Sequence, residues 1–434
     1  MLAWLMALRA ALLFTLVFLP FSPVSLQAQI SEPHDSPASL PSLIMQYLST
    51  PNTDQAGELL REILSRDDAT LPAVTSILIE DRRYTSAPVG MQPEQEVTVG
   101  SQAFEYGLYV PENYRPEKAY PLVICLHGAG FTGDAYLERW QARLNDNYIL
   151  ACPTLTYGDW WTRTAERLVM VTIRAVTDTY HIDPERVFLT GMSNGGIGAY
   201  LIGAHHARRF AAIVPMASGL DQVLMPFLEN FQETPLYIIH GKRDQVMPVE
   251  LSRSIVDTLA ELNYTHVYRE HDRVHPVAGG HFFPREELAE LVAWLGQQHR
   301  NPYPKKLRVV EDATHLLRFG RVRIDATDRI ASFTDALIDR QDEAIKSRLY
   351  ARLDATIKDN TIAIHSQRVR RYTLFLNDQL VDLTRPVTVV TNDTITFEGL
   401  ITPSIRALLH EARVRQDQGA IYSASVTIEV PPDK

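Results

Sequence analysis

Arg186-Val-Phe-Leu-Thr-Gly-Met-Ser-Asn-Gly-Gly196 is the stretch whose reading decides the fold. Its first residues, Arg186–Leu189, form a short apolar run that suits a buried strand. Gly191-x-Ser193-x-Gly195 follows, and the helix-like stretch Ile197–His205 comes next. A strand, a sharp turn carrying a serine and then a helix make a nucleophile elbow. Small flanking residues let neighbouring backbone pass without a Cβ clash. The turn lifts the hydroxyl out of the sheet edge and aims the next helix N-terminus at a reacting carbonyl. The pentapeptide alone occurs by chance; its strand and helix context makes it specific.

A serine hydroxyl is a poor nucleophile at neutral pH and needs a base that a carboxylate orients. In such a sheet the chain order is serine, acid, histidine. Asp244 follows the apolar run Leu236–Ile239 within His240-Gly-Lys-Arg-Asp244, and 244 − 193 = 51 residues leave room for the intervening strands and helices. His281 stands in Ala278-Gly-Gly-His281-Phe-Phe-Pro284, a further 281 − 244 = 37 residues on and just before a helical stretch. Asp221 comes one strand too early to be the acid, and Asp272 lies in a polar stretch expected to be a surface loop. His271 and His275 are rival bases and a conceivable metal pair, but they lack helical context and a third ligand, so no metal is expected. His205-His206 is expected to close a helix, where positive charge is tolerated.

A developing oxyanion needs backbone donors. Asn194 is expected to supply one N–H, and Gly128 or Ala129, within His127-Gly-Ala-Gly130, the second. His127 is expected to be structural, behind that loop. Trp160 and Trp161 follow a strand that ends at Cys152. They either line an acyl or aryl site or pack against the helix after them, and the sequence leaves both open.

Continuous apolar runs at Pro121–Leu126, Tyr148–Cys152, Arg186–Leu189, Ala212–Pro215 and Pro235–Ile239 suit strands buried on both faces of a parallel sheet. Helical stretches at Ala165–Tyr180, Leu251–Leu262 and Glu286–Gln298 alternate with them, and Gln95–Val99 and Phe104–Val110 precede them as strands. The expected class is α/β, with a mostly parallel sheet over 91–300. A helical prefix is expected at 29–90, with Asp54 and Asp67 as helix starts. Short strands with polar turns over 301–434 suggest a small antiparallel sandwich, interrupted by a helix near Ser404–Arg413. Tyr372, Phe375 and Tyr422 fit either a binding face or core positions there.

The chain has 434 residues, a formal net charge of −10 and 45% hydrophobic residues, which suits a globular protein and argues against a nucleic-acid partner. Residues 1–28 read as a signal peptide cleaved after Ala28, so export is expected, with no stable membrane span in the mature chain. The uninterrupted apolar run Ala10–Pro20 is about half of what a bilayer needs. An exported protein could pair its two cysteines, Cys125 and Cys152, but their apolar surroundings favour packing.

Residues 94–298 resemble the bacterial secreted esterase branch of the α/β-hydrolase superfamily, which includes polyhydroxyalkanoate-depolymerase-like, feruloyl-esterase-like and phospholipase/carboxylesterase enzymes. The resemblance rests on Leu126-His-Gly-Ala-Gly130, Asp183-Pro-Glu-Arg-Val-Phe-Leu-Thr-Gly-Met-Ser-Asn-Gly-Gly196, Phe210-Ala-Ala-Ile-Val-Pro215 and His240-Gly-Lys-Arg-Asp244. It implies the α/β-hydrolase fold and hydrolysis of small-molecule or polymer esters through an acyl-enzyme, without a cofactor. It places nucleophile, acid and base at Ser193, Asp244 and His281. A serine peptidase of the prolyl-oligopeptidase type shares this elbow and order, but the residues ahead of the first strand are too few for that family's propeller. A non-catalytic binding protein would not need all three residues.

Overall fold

The computed structural model describes residues 38–432 apart from 81–83, 157, 316–317 and 333–346. The expected signal peptide lies outside the described residues. Three helices open the described chain: α1 (Leu40–Ser49), α2 (Thr53–Leu64) and α3 (Leu71–Glu80). The expected starts at Asp54 and Asp67 are displaced. Asn52 caps α2 by accepting from the N–H groups of Asp54 and Gln55, and α3 begins only at Leu71, after Thr70. The side chain of Asn52, on the extended residue just before the helix, reaches the open N–H groups, which Asp54 inside the first turn cannot do.

An eight-stranded sheet follows. Its strands are β1 (Gly90–Val99), β2 (Gln102–Val110), β3 (Tyr120–Leu126), β4 (Ile149–Pro153), β5 (Ile182–Met192), β6 (Ala212–Met216), β7 (Leu236–Gly241) and β8 (His266–His271). Their spatial order is β1-β2-β4-β3-β5-β6-β7-β8. The pairs β1/β2 and β2/β4 are antiparallel, and all later neighbours are parallel. This is the expected α/β-hydrolase fold. Every residue of β3 is buried, because helices cover both faces of the sheet.

The two faces are visible in the alternation along β3. Leu122, Ile124 and Leu126 join the core under α5 (Arg163–Thr179), α6 (Asn194–His205) and α7 (Val249–Glu261). Val123 and Cys125 point to the other core, under α4 (Gly133–Leu144) and α8 (Leu288–Leu295). Cys125 and Cys152 are free and buried in that second core, which is the packing alternative. The strand β8 was not expected from sequence, since its polar residues look like a loop. It forms as the edge partner of β7, with only His271 buried.

The rest of the chain builds two smaller sheets. One has five strands: β9 (Lys306–Glu311), β12 (Ala351–Lys358), β13 (Thr361–Gln367), β15 (Val387–Thr391) and β16 (Thr394–Gly399). The other has four: β10 (Arg318–Phe319), β11 (Val322–Thr327), β14 (Val369–Leu376) and β17 (Ala424–Glu429). They are not purely antiparallel as expected, because β13 and β15 pair in parallel. The segment between them, through β14, lies in the other sheet and brings the chain back in the same direction. Helix α9 (Ile405–Arg415) is capped by the Ser404 hydroxyl, which accepts from Ala407 N–H. Tyr372, Phe375 and Tyr422 are all buried and serve the core. The Tyr372 hydroxyl meets Thr391 Oγ1 at 2.5 Å and so ties the two sheets together.

This β-rich region shares one continuous core with the α5–α6–α7 face of the large sheet. Asn230 grips the edge of β9, its amide donating to Val310 C=O at 3.0 Å and accepting from Val310 N–H at 2.7 Å. Arg300 makes the main polar joint. It donates to Asp417 through both terminal nitrogens, at 2.8 and 2.9 Å, and to Arg208 C=O at 2.7 Å. Both side chains are almost wholly buried. Arg300→Ala is expected to destabilise the chain by about 3 kcal/mol, because a buried carboxylate loses its two-pronged partner. Urea unfolding of both proteins checks this.

Candidate functional site

Ser193 lies between β5 and α6 with φ 58° and ψ −123°, a conformation forced by the sharp strand-to-helix turn. Its N–H donates to Met216 C=O at 3.0 Å, holding the turn against the end of β6. A Cβ on Gly191 would sit 2.0 Å from Gly195 O, so the turn closes only with glycine there. The N–H of Asn194 opens α6, where first-turn donors have no partner within the helix.

Asp244 sits in the loop after β7, and His281 in the loop after β8. His281 Nδ1 and Asp244 Oδ2 are 2.7 Å apart. The other oxygen, Oδ1, accepts from Val246 N–H at 2.8 Å and Met247 N–H at 2.9 Å. His240 Nε2 adds a contact to Oδ2 at 3.3 Å. Burial alone would raise the Asp244 carboxyl, but hydrogen bonds from His240, His281 and the two backbone N–H groups outweigh it. They hold the group well below the usual carboxylate range. Backbone crowding fixes the loops: a Cβ on Gly280 would come within 2.4 Å of Asp244 N. Ser193, Asp244 and His281 thus all follow carboxyl ends of parallel strands in one sheet, where open α/β sheets keep their ligand crevices.

The rivals go elsewhere. Asp272 is exposed and pairs with Arg243 at 2.8 Å. Asp221 accepts from Val223 N–H in an exposed turn. His271 is buried at the end of β8, with Nε2 3.2 Å from Phe282 C=O. His275 accepts at Nδ1 from the N–H groups of Val277 and Ala278 within its own turn.

His127 is buried behind the loop after β3. Its Nδ1 donates to Gly128 C=O at 2.8 Å, and its Nε2 accepts from Leu155 N–H at 2.9 Å. Burial pushes its imidazole below the ordinary value, consistent with a neutral ring that donates once and accepts once. Gly128 lies against Ser193: a Cβ there would be 3.6 Å from the Ser193 Cβ. Ala129 continues the same loop. Trp160 is 1% exposed and donates from its indole nitrogen to His127 C=O at 2.9 Å. It therefore packs beneath the loop, and Trp161 beside it is only half-buried. Asn194 completes the brace. Its side-chain amide donates to Asp159 and accepts from Trp160 N–H at 3.3 Å.

One cluster was missed from the sequence. Glu166, His205 and His315 each turn a possible metal-ligating atom into a common space, with those atoms within 4.8 Å of one another. Their separation along the chain, from α5 to the turn after β9, left no spacing signal.

No family model matches the chain. Feruloyl esterase C of Emericella nidulans is 26% identical over 171 residues, 37% of this chain and 62% of that protein. Acyl-protein thioesterase 1 of Gibberella zeae is 28% identical over 123 residues, 27% of this chain and 50% of that one. The chain thus spans less than two thirds of the length of these relatives. A solved thermostable esterase is 26% identical, with a TM-score of 0.42, over 48% of this chain and 63% of that one.

Trp160→Phe keeps an aromatic ring but leaves His127 C=O buried without its donor. It is expected to cost about 1–3 kcal/mol of stability, measured by chemical unfolding. The depressed Asp244 carboxyl contributes stability that is fully present above its ordinary value of 3.8 and is lost as pH falls below it. Asp244→Asn is therefore expected to flatten the loss of stability below about pH 4, read from unfolding midpoints between neutral and acid pH.

Proposed function

We propose that this chain, a member of the α/β-hydrolase superfamily, is an exported carboxylic-ester hydrolase with Ser193 as nucleophile, His281 as general base and Asp244 as orienting acid. The observation that carries the reading is the 2.7 Å contact between His281 Nδ1 and a buried Asp244 carboxylate, at the sheet edge where the strained Ser193 turn stands. With Nδ1–H held by Asp244, Nε2 is the nitrogen left to take the Ser193 proton. Ser193 Oγ attacks the ester carbonyl. The N–H groups of Asn194 and of Gly128 or Ala129 stabilise the oxyanion, each worth about 3 kcal/mol in the transition state. His281 then protonates the departing alcohol, and water resolves the acyl-enzyme by the same steps in reverse.

Asp244 stays ionised throughout, because its hydrogen bonds hold the proton off. Trp161 is the aromatic better placed to meet an acyl or aryl group, since Trp160 is committed to bracing the loop. The catalytic region is assigned to 91–300, the helical prefix to 29–90 and the β-rich accessory region to 301–434. Residues 1–28 are removed as a signal peptide.

The test is turnover of acyl, aryl and hydroxycinnamoyl esters by protein beginning at Gln29. A thioester and an amide are included because the relatives span feruloyl esters and acyl-protein thioesters by name. Ester hydrolysis is expected, and Ser193→Ala is expected to lower kcat by about 10⁴–10⁶-fold with little loss of stability. Ester turnover that survives this substitution would overturn the nucleophile assignment. Amide cleavage without ester turnover would move the reading to a peptidase.

A further inference from the structure

The far end of α6 carries a feature that the catalytic reading does not use. His205, the last residue of that helix, stacks on His315 with ring centroids 3.8 Å apart and planes 21° from parallel. Glu166, from α5, faces both rings: its Oε2 lies 3.0 Å from His315 Nε2 and 3.6 Å from His205 Nδ1. The other oxygen, Oε1, meets His206 Nε2 at 2.8 Å. Behind His315, Asp312 accepts at its Oδ2 from Nδ1, 2.6 Å away, and Asp312 is fully buried. Asp312 is itself held by its own turn, accepting from Thr314 N–H at 2.7 Å.

Three observations separate this group from an ordinary ion-pair knot. His205 is the first. Its side chain is only 9% exposed, Nδ1 is too far from Glu166 for a hydrogen bond, and Nε2 is buried with no partner. With the ring proton on Nε2, Nδ1 turns its lone pair toward the Glu166 carboxylate and is the nitrogen open to a cation between the two. The second is the spacing of the donors. Donor atoms about 2.05 Å from a zinc ion in tetrahedral geometry stand roughly 3.3 Å apart. The two contacts to Glu166 Oε2, at 3.0 and 3.6 Å, bracket that value. The third is Asp312. A carboxylate on the remote nitrogen of a histidine fixes the tautomer and turns the near nitrogen toward a metal.

We propose that Glu166, His205 and His315 form a buried binding site for a divalent transition-metal ion, zinc by its two-imidazole, one-carboxylate donor set, with Asp312 positioning His315. The ligands come from α5, from α6 and from the turn after β9. The ion therefore pins the β-rich region to the two helices that flank the Ser193 turn. Twelve residues of α6 separate that turn from the site, about 18 Å at the helical rise, so the ion takes no part in ester chemistry. The role is structural. It is independent of the catalytic assignment, and Ser193→Ala protein binds the ion as wild type does.

The experiment uses tag-free protein from Gln29 onward, purified without chelator for metal analysis and then stripped for calorimetric titration with Zn²⁺ alone. About one equivalent of zinc is expected in the purified protein, with one-site binding after stripping and a rise in Tm on reloading. His205→Ala and His315→Ala are expected to abolish binding. Asp312→Asn, which keeps both ligands, is expected to weaken it by about 10–100-fold. Folded, stripped wild-type protein that takes up no Zn²⁺ would overturn the proposal and leave the cluster as an ion-pair network. So would Zn²⁺ binding that His205→Ala and His315→Ala leave unchanged.

Discussion

At the Ser193 turn three pieces of backbone meet with almost no space between them. A Cβ on Gly195 would lie 2.2 Å from the carbonyl oxygen of Leu126, at the end of β3, and one on Gly191 would strike Gly195 itself. The helix after the serine can start so close to two strands only because those positions carry no side chain. The same crowding forces Ser193 into a positive φ, at a cost of about 1–3 kcal/mol that the surrounding packing must offset. The hydrogen bond to Met216 and the buried strands on either side supply that support. Everything else near the crevice is arranged around this fixed point.

Two braces stand on it. His127, Trp160 and Asn194 lock the loop after β3 against the start of α6 through a chain of hydrogen bonds. On the other side, Asp244 is held by three partners besides His281, the N–H groups of Val246 and Met247 and the His240 imidazole, so the imidazole of His281 meets a fixed carboxylate. Rigid supporting contacts of this kind are what a site needs to hold a reacting geometry. The β-rich region contributes to neither brace. Its polar joints at Arg208, Arg300 and His205 engage the end of α6 and the segments leaving it, away from Ser193. It adds core to a chain whose large sheet already closes over its own helices, and it loads the helix that carries the serine from the opposite end.

Much of this was legible in the sequence. Continuous apolar runs identified the inner strands, because a strand covered on both faces has no polar side to show. The elbow, the Asp244 loop and the His281 loop were readable because each depends on local turn chemistry at the end of a strand. The edge strands β8, β9 and β10 were not, since an edge needs only one buried face and carries polar residues freely. Asn52 as a helix cap was overlooked in favour of a nearby aspartate. Spacing alone does not say which side chain reaches the open N–H groups.

What the sequence by itself determined is the class of sheet, the alternation of its main strands with helices along the chain and the residue types at the ends of those strands, all of which follow from local periodicity and turn preference. Only the tertiary structure decided what depends on distant segments meeting. It buried Trp160 beneath the loop instead of leaving it to line a pocket, and it kept Cys125 and Cys152 as free core thiols. It also brought Glu166, His205 and His315 to one point from three parts of the chain. These outcomes rest on packing between elements far apart in sequence, and no window along the chain contains both partners of such a contact.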